Sequence, residues 1–300
     1  MRIGIASPVV IAPPGAPRWE QHAGIAELER VAATADELGF HHLTCSEHVA
    51  VPTDIASERG GTYWDPLSTL SYLAARTRTI RLATLVLVLG YHHPLELAKR
   101  YGTLDRLSAG RVVLGLGVGS LRAEFEILGA PFEDRGTRAD DAIAALRAAL
   151  SCPDPRYHGR FHDFADVVVR PHAVQPRVPL WIGGRTRRSL RRAIALGDGW
   201  VPFGLDLPAL GHLLGTHDLP DGFTVVLPAT VDPVADRDRA RRALVARRDV
   251  GCSIVNVSIL ARDCAHYCDQ LAALREIGDD LGVEFDPAPH SVSPTGGKTP

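Results

Sequence analysis

The sequence predicts a single α/β domain of the (β/α)8 class, a TIM barrel. Short apolar segments rich in β-branched residues alternate with longer segments whose apolar residues have helical spacing, and eight of the short segments occur. Because parallel strands are joined by helical crossovers, this alternation favours a parallel sheet that closes on itself. An open, doubly wound sheet is the alternative that the same alternation permits.

The elements follow one another in a regular order. The predicted strands are residues 2–10, 41–47, 80–89, 112–117, 180–183, 199–203, 224–230 and 253–260. The predicted helices are residues 25–38, 66–75, 95–107, 138–150, 187–196 and 264–277. Gly39 is a typical residue to end the first helix, and Pro94 suits the first turn of the third. The longest interruption, residues 151–177, lies between the fourth helix and the fifth strand and predicts an inserted hairpin or extended segment.

The composition is that of a globular protein without a strong charge. The chain has 300 residues, of which 45% are hydrophobic and 23% charged, and its formal net charge is −2. We expect one barrel domain over residues 1–285 and a disordered tail over residues 286–300, where Pro, Ser, Thr and Gly dominate. The balanced charge offers no electrostatic footprint for nucleic acid.

The sequence favours a cytoplasmic protein that acts on a small molecule. No apolar run approaches the roughly 20 residues of a membrane helix. The first residues lack the apolar core and cleavage site of a signal peptide. The five cysteines form no CxxC pair and are typical of reduced thiols. We therefore expect neither a membrane nor a nucleic acid as partner.

Two glycine-rich strand ends are the strongest functional signal. The fourth strand ends in Gly117, Val118 and Gly119, and the fifth ends in Ile182, Gly183 and Gly184. Glycine lets a backbone approach a ligand closely, and a turn that leads into a helix N-terminus suits a phosphate. In a barrel the carboxyl ends of all strands surround one opening, so these turns predict a cofactor site there. Arg185 follows the second turn and can reach an anion or form a solvated helix face.

Acid–base candidates lie on the same rim. The second strand ends in Glu47 and His48, and histidine titrates near neutral pH. Glu47 can contact a ligand or form an ion pair with a neighbouring Arg. Thr84 and Leu85 lie in the third strand, where the Thr84 hydroxyl can serve a ligand or simply fill the core.

Metal and nucleotide chemistry have weaker support. His41 and His42 lie at the start of the second strand and are expected to face the opposite end of the barrel. A metal site from His48, His92 and a carboxylate, as in a metal-dependent hydrolase, stays an alternative, but no ligand spacing supports it and we predict no metal. The chain has no P-loop, GxSxG elbow or GxGxxG fingerprint, which argues against a Rossmann nucleotide site.

Several stretches together resemble the bacterial luciferase-like family of flavin- or deazaflavin-dependent oxidoreductases, which are (β/α)8 barrels. They are SEH at 46–48, LATLVLVLGYHHPLELAK at 82–99, LDRLSAGRVVLGLGVG at 104–119, FEDRGTR at 132–138, VPLWIGG at 178–184 and ALGDGW at 195–200. Their order and spacing make the resemblance specific over residues 1–205. The form of the 178–184 stretch is similar to that of the members that use coenzyme F420, an 8-hydroxy-5-deazaflavin.

The resemblance implies roles for individual residues. Gly183, Gly184 and Arg185 would hold the coenzyme phosphate, and residues 117–119 would line its side chain. The Thr84–Leu85 bond matches the place of a non-prolyl cis peptide that forms a bulge behind the ring. His48 would lie near the redox edge of the ring and exchange a proton with the substrate. Relatives of this kind are usually homodimers, so a homodimer is expected.

Two departures from the family pattern bear on the reaction. Pro52 stands where the alcohol and sugar-phosphate dehydrogenases have a tryptophan, and Ser120 stands where the latter have a glutamate, with Glu124 a turn later. The residues therefore favour hydride transfer between F420 and a small organic substrate, such as reduction of an enone or imine. The alternatives are an FMN-dependent monooxygenase with a partner reductase and a non-catalytic flavin-binding barrel.

Overall fold

The chain folds into a closed barrel of eight parallel strands, as seen in a computed structural model that describes residues 1–287. The barrel strands are β1 (Arg2–Ala6), β2 (His42–Cys45), β3 (Arg81–Val88), β4 (Val112–Gly117), β7 (Leu180–Gly183), β8 (Gly199–Val201), β9 (Thr224–Val231) and β10 (Ile254–Ile259). Two short strands outside the barrel are β5 (Tyr157–His158) and β6 (Asp163–Phe164). Around the barrel the order is β1-β2-β3-β4-β7-β8-β9-β10, and β10 pairs with β1 in parallel. This closure confirms the predicted (β/α)8 class and excludes the open sheet.

Helices surround the barrel. They are α1 (Arg18–His22), α2 (Ile25–Glu37), α3 (Thr53–Arg59), α4 (Pro66–Arg76), α5 (Pro94–Leu107), α6 (Arg122–Ile127), α7 (Arg135–Leu150), α8 (Arg187–Leu196), α9 (Leu207–Gly215), α10 (Arg237–Asp249) and α11 (Cys264–Asp280). The six predicted helices correspond to α2, α4, α5, α7, α8 and α11. Sequence reasoning missed the others, of which α1, α3 and α6 are short and lie in loops. The long helix α10 was missed because it buries only Ala240 and Leu244 and has almost no apolar stripe.

The insertion before the fifth barrel strand is a hairpin, as predicted. β5 and β6 pair in antiparallel fashion and form a separate two-stranded sheet. Asp141 of α7 organises the hairpin, because its carboxylate accepts the Tyr157 hydroxyl at 2.9 Å and the backbone N–H groups of residues 160–162. The hairpin is thereby tied to the outer helix layer, and His162 at its turn lies against His93, which follows the carboxyl end of β3.

Rings fill the amino-terminal half of the barrel interior. His42 is fully buried, and its ring lies edge-on to Trp181 with centroids 5.2 Å apart. A Cβ atom on Gly4 would overlap the His42 ring, so glycine at that position makes room for it. As expected, His41 and His42 lie at the end of the barrel opposite the cavity described below.

At the amino-terminal face of the barrel, three buried or half-buried carboxylates accept hydrogen bonds from neighbouring parts of the chain. Asp36, near the end of α2, accepts the N–H groups of residues 78–80 ahead of β3. Asp105 of α5 accepts hydrogen bonds from backbone N–H groups at the start of β4 and after the hairpin. Asp198 accepts hydrogen bonds from the N–H of Leu180 and from two Arg side chains. Each of these carboxylates satisfies backbone donors that the strand ladders leave unpaired.

The chain end returns to the barrel. The Asp286 N–H donates to the Gly39 carbonyl, and Arg2 pairs with the Asp286 carboxylate at 3.1 Å. Residues 288–300, which hold most of the predicted tail, lie outside the described residues. None of the helices described in residues 1–287 has the length and apolar character to cross a membrane.

Candidate active site

A cavity of about 460 Å³ opens at the carboxyl ends of the barrel strands. Its walls are mostly apolar and come from the ends of β3, β4 and β8 and from Ile11 and Tyr63 in the long loops. The predicted residues Glu47, His48, Leu85, Gly117, Val118, Gly119, Gly183 and Gly184 all line it. These eight predicted residues therefore share one cavity, and their roles there stay a prediction.

The cavity wall includes a bulge in β3. The peptide bond between Leu85 and Val86 is cis, and the pairing of β3 with β4 shifts register between Thr84 and Leu87. The prediction had placed this bond one residue earlier, between Thr84 and Leu85. Ser46 Oγ donates to the Leu85 carbonyl at 2.8 Å, and the Glu47 N–H donates to the Val86 carbonyl at 3.3 Å.

Three predicted cofactor contacts do not line the cavity: Arg185 lies beside its mouth, and Thr84 and Ile182 are turned away from it. Thr84 is fully buried, and its hydroxyl donates to the Gly115 carbonyl at 2.9 Å. Ile182 is buried in the core layer between the barrel and its helices. Their neighbours Ala83 and Trp181 point into the barrel, so the alternation of side chains along a strand turns Thr84 and Ile182 outward.

The glycines of the rim serve the protein's own packing as well as the cavity. A Cβ on Gly117 would lie 2.6 Å from a Val86 methyl group, and one on Gly183 would lie 3.1 Å from the other. Gly119 has φ +76°, and a Cβ there would lie 2.5 Å from the Phe125 ring. Glycine at these positions is therefore required by the bulge and by α6, whatever the cavity holds.

His48 is held by a buried carboxylate from α6. Its Nδ1 lies 2.7 Å from Glu124 Oε2, and the His48 side chain stays 20% exposed while that of Glu124 is fully buried. The Glu124 carboxylate also accepts the Tyr91 hydroxyl at 2.9 Å and the backbone N–H groups of Val49 and Ala50. Burial acts to raise the pKa of Glu124, but hydrogen bonds from His48, the Ala50 N–H and Tyr91 outweigh it and lower that pKa.

An ionised Glu124 fixes the protonation of the His48 ring. A carboxylate without a proton can only accept, so Nδ1 carries the hydrogen of the neutral ring. The other ring nitrogen, Nε2, then has a lone pair, and no described residue hydrogen-bonds to it. Because His48 lines the cavity, it can exchange a proton with a bound molecule.

Glu124 is the functional residue that sequence reasoning left without a role. The signal was present, since the sugar-phosphate dehydrogenases that the sequence resembles have a glutamate where this chain has Ser120, and Glu124 follows a turn later. What the sequence could not show is that α6 begins at Arg122 and turns this side chain back towards the second strand.

Glu47 has a different task from the predicted one. Its Oε1 lies 2.7 Å from His92 Nε2, and its Oε2 accepts the N–H of Val88 at 2.7 Å. The partner is thus a histidine and not an arginine. Burial acts to lower the pKa of His92, but the hydrogen bond and charge of Glu47 outweigh it and raise that pKa. Glu47 holds the end of the bulged strand through these contacts and is a positioning residue.

A metal centre does not assemble from these histidines. His48 and His92 bind different carboxylates, and among residues 1–287 no group of three or more His, Cys, Asp or Glu side chains could hold a metal ion.

The turn after β7 leads into a capped helix. The Thr186 hydroxyl accepts the Ser189 N–H, which leaves the amides of Arg187 and Arg188 at the positive end of α8 without a capping side chain. Arg185 is exposed, and its guanidinium lies 5.9 Å from the centre of the Phe203 ring, a residue that lines the cavity. No carboxylate of the described residues pairs with Arg185. The turn therefore offers free donors and positive charge beside the cavity mouth.

Relatives of the chain share most of its length. A family model described as luciferase-like monooxygenase matches residues 1–250. An uncharacterised protein of Mycobacterium tuberculosis is 30% identical over 262 residues, which cover 81% of this chain and 91% of that protein. The 4-hydroxyprotoasukamycin monooxygenase of Streptomyces nodosus subsp. asukaensis is 33% identical over 194 residues, 65% of this chain and 45% of the enzyme.

Solved structures share the fold at low identity. A monooxygenase from Streptomyces bottropensis has a TM-score of 0.75 at 23% identity, covering 94% of this chain and all of that one. The coenzyme F420-dependent tetrahydromethanopterin reductase from Methanopyrus kandleri has a TM-score of 0.69 at 14% identity, over 92% of this chain and 97% of the reductase. The oxygenating constituent of 3,6-diketocamphane monooxygenase of Pseudomonas putida in complex with FMN has a TM-score of 0.67 at 15% identity, over 96% of this chain and 100% of that one. With five-sixths of its sequence matched by the family model, the chain belongs to the luciferase-like monooxygenase family.

Proposed function

We propose that the protein is an oxidoreductase that transfers a hydride between coenzyme F420 and a small organic substrate, such as an enone or imine. The observation that supports the proposal is the His48–Glu124 pair, in which a buried carboxylate holds the His48 ring at the wall of an apolar cavity. Reduction of a C=C or C=N bond needs one hydride and one proton, and His48 is the group placed to provide the proton.

The cavity fits a flat ring with an anionic arm. Its volume of about 460 Å³ lies within the range of small-molecule sites. The Leu85–Val86 bulge, Val118 and Val201 provide apolar surface for a ring, and Arg185 with the start of α8 provides donors for a phosphate. A bound deazaflavin supplies the hydride, which is chemistry that no side chain can supply.

His48 acts as acid or base according to the direction of the reaction. In reduction, a protonated Nε2 donates its hydrogen to the substrate, and the ring keeps the Nδ1 hydrogen that faces Glu124. In oxidation, the neutral ring accepts a proton at Nε2, and the nearby carboxylate stabilises the resulting imidazolium. Tyr91 stays protonated, because burial and its hydrogen bond to Glu124 raise the pKa of Tyr91. The Tyr91 hydroxyl therefore orients the carboxylate and does not compete for the proton.

The test is a pair of fluorescence titrations with F420 and FMN, followed by anaerobic oxidation of reduced F420 by a panel of cyclic enones and imines. We expect F420 to bind with a Kd of about 1 μM or lower, and the His48→Gln variant to keep that affinity within about threefold while losing about 100-fold or more in turnover. Unchanged turnover in the variant contradicts the role of His48. Binding of neither coenzyme contradicts the proposal as a whole and returns the protein to the non-catalytic alternative.

An FMN-dependent monooxygenase with a partner reductase is the second candidate. It is favoured by the monooxygenase of Streptomyces nodosus, which is 33% identical to this chain over 194 residues. The same titrations separate the two candidates, because preference for FMN together with oxygen uptake by the reduced complex favours the monooxygenase.

A further inference from the structure

A column of polar side chains runs along the barrel interior beneath the cavity. His41 Nδ1 lies 2.9 Å from His42 Nδ1, and His42 Nε2 lies 3.2 Å from Asn256 Oδ1. Asn256 belongs to β10 and lines the floor of the cavity, although its exposure is only 8%. The column thus begins at the amino-terminal end of the barrel and ends at the cavity.

The contacts within the column set the direction of each hydrogen bond. The amide oxygen of Asn256 can only accept, so His42 donates from Nε2. A neutral His42 then has a lone pair on Nδ1, which accepts the Nδ1 hydrogen of His41. Both rings are neutral, since burial lowers the pKa of His42 to about 4 and also lowers the pKa of His41 well below its usual value. Arg81 and Arg2 act on His41, and their positive charge favours the lone pair that this arrangement leaves on its Nε2.

With its oxygen facing His42, Asn256 turns its NH2 group to the cavity. No described residue accepts a hydrogen bond from this amide nitrogen. The floor around it is apolar, formed by Leu85, Val201, Val226 and Pro228. The Asn256 NH2 group is therefore a hydrogen-bond donor at an otherwise apolar floor.

We propose that Asn256 is a ligand-positioning residue that donates a hydrogen bond to a carbonyl oxygen of the molecule bound at the cavity floor. The carbonyl belongs either to the ring system of the coenzyme or to the substrate. The inference rests on the proposed function to the extent that the cavity binds such a molecule. A ligand without an acceptor at this point leaves the buried amide unpaired, so Asn256 also selects against it.

The orientation of Asn256 can be tested without any ligand. In ¹⁵N-histidine-labelled protein, the proposal expects the Nε2–H tautomer for His42 and the Nδ1–H tautomer for His41. The opposite tautomers mean that Asn256 presents its oxygen to the cavity, which overturns the proposal whether or not the protein uses F420.

Binding provides the second test. In the Asn256→Leu variant, which keeps the size of the side chain, we expect affinity to fall about tenfold or more for whichever ligand supplies the carbonyl. Titrations with F420 and FMN test whether the carbonyl belongs to the coenzyme ring. The ratio of the affinities for 2-cyclohexen-1-one and cyclohexene tests whether it belongs to the substrate. Ser258→Ala, at an exposed position of the same strand, is the control and is expected to change neither.

These two binding measurements identify the molecule that carries the carbonyl. A loss confined to F420 or FMN assigns the acceptor to the ring, and a loss confined to the enone ratio assigns it to the substrate. A variant that melts like the unaltered protein and changes neither quantity overturns the proposal. Failure of the proposed function looks different, because neither coenzyme then binds to the unaltered protein while the His42 tautomer is still as expected.

Discussion

Two histidines near the rim each contact a buried carboxylate, but only His48 lines the cavity. His92 uses Nε2 for Glu47, and its Nδ1 lies 4.0 Å from Glu96, so both sides of the ring face carboxylates. His48 uses Nδ1 for Glu124, and its side chain lines the cavity. The difference explains why we assign proton exchange to His48 and a structural task to His92.

Replacing Glu124 with Gln tests how much the carboxylate contributes. A neutral amide no longer stabilises an imidazolium and can present its NH2 to Nδ1, which favours the wrong tautomer of His48. We expect turnover of reduced F420 with the enone and imine panel to fall about 100-fold. The affinity for the coenzyme is expected to change by less than about threefold, which separates this effect from a binding defect.

Glu126→Gln is the matched control, because Glu126 lies on the same helix and is exposed. We expect this variant to keep full turnover. A Glu124→Gln enzyme that keeps the turnover and pH profile of the unaltered protein removes Glu124 from the proposed proton transfer.

For individual residues, the sequence predicted which side chains lie near the cavity better than it predicted their hydrogen-bond partners. His48 and the glycines follow strand ends, and parallel strands bring their ends together, so a linear pattern was enough. Glu47 and Glu124 were harder, because their partners are 45 and 76 residues away in the chain. Thr84 and Ile182 were wrong as ligand contacts because they alternate with the residues that face the barrel interior.

Among the elements, the inserted hairpin depends on one carboxylate of α7. Asp141 accepts one hydroxyl and three backbone N–H groups from residues 157–162, and these hydrogen bonds lower the pKa of Asp141 against the effect of burial. An amide has only one oxygen that can accept hydrogen bonds, so the Asp141→Asn variant loses some of these four hydrogen bonds.

We expect amide hydrogen exchange of residues 157–164 to become about tenfold faster or more in Asp141→Asn, with the rate in β4 and β7 unchanged. Asp218→Asn, in an exposed loop, serves as the control. Equal exchange rates in both variants contradict the idea that Asp141 holds the hairpin.

The elements themselves differed in how clearly the sequence showed them. Strands that are buried on both sides read as continuous apolar runs and were found. Their ends were not, since the first strand stops at Ala6 ahead of Pro8 and of Val9, which has φ 73°. Helix α10 was missed because it covers the barrel with few apolar residues and many arginines.

For the whole molecule, buried histidines link stability to pH. The pKa of His42 is about 4 in the folded protein and near 6.5 in the unfolded chain, so the unfolded state binds the extra proton first. The contribution of His42 to stability is therefore complete above pH 6.5, and it is lost as pH falls towards 4. His41 acts in the same direction, whereas His92, whose pKa is raised, stabilises below pH 6.5 and loses that contribution as pH rises.

We expect His42 to lower the free energy of unfolding by about 2 kcal/mol between pH 7.5 and pH 5. Urea unfolding at several pH values measures this, and His42→Leu is expected to show a flatter profile over the same range. His212→Gln, at an exposed position of α9, is expected to keep the original slope. An NMR titration in which His42 protonates near pH 6.5 in the folded protein contradicts the prediction without need of a variant.

The rings that fill the barrel also have a kinetic consequence. Because His42 and Trp181 close the amino-terminal half of the interior, a molecule enters and leaves the cavity through the strand ends. Where two molecules stack one above the other below this mouth, the deeper one arrives first and departs last. A reaction of two such molecules then follows a compulsory order of addition and release, and an excess of the outer one traps the inner one in place.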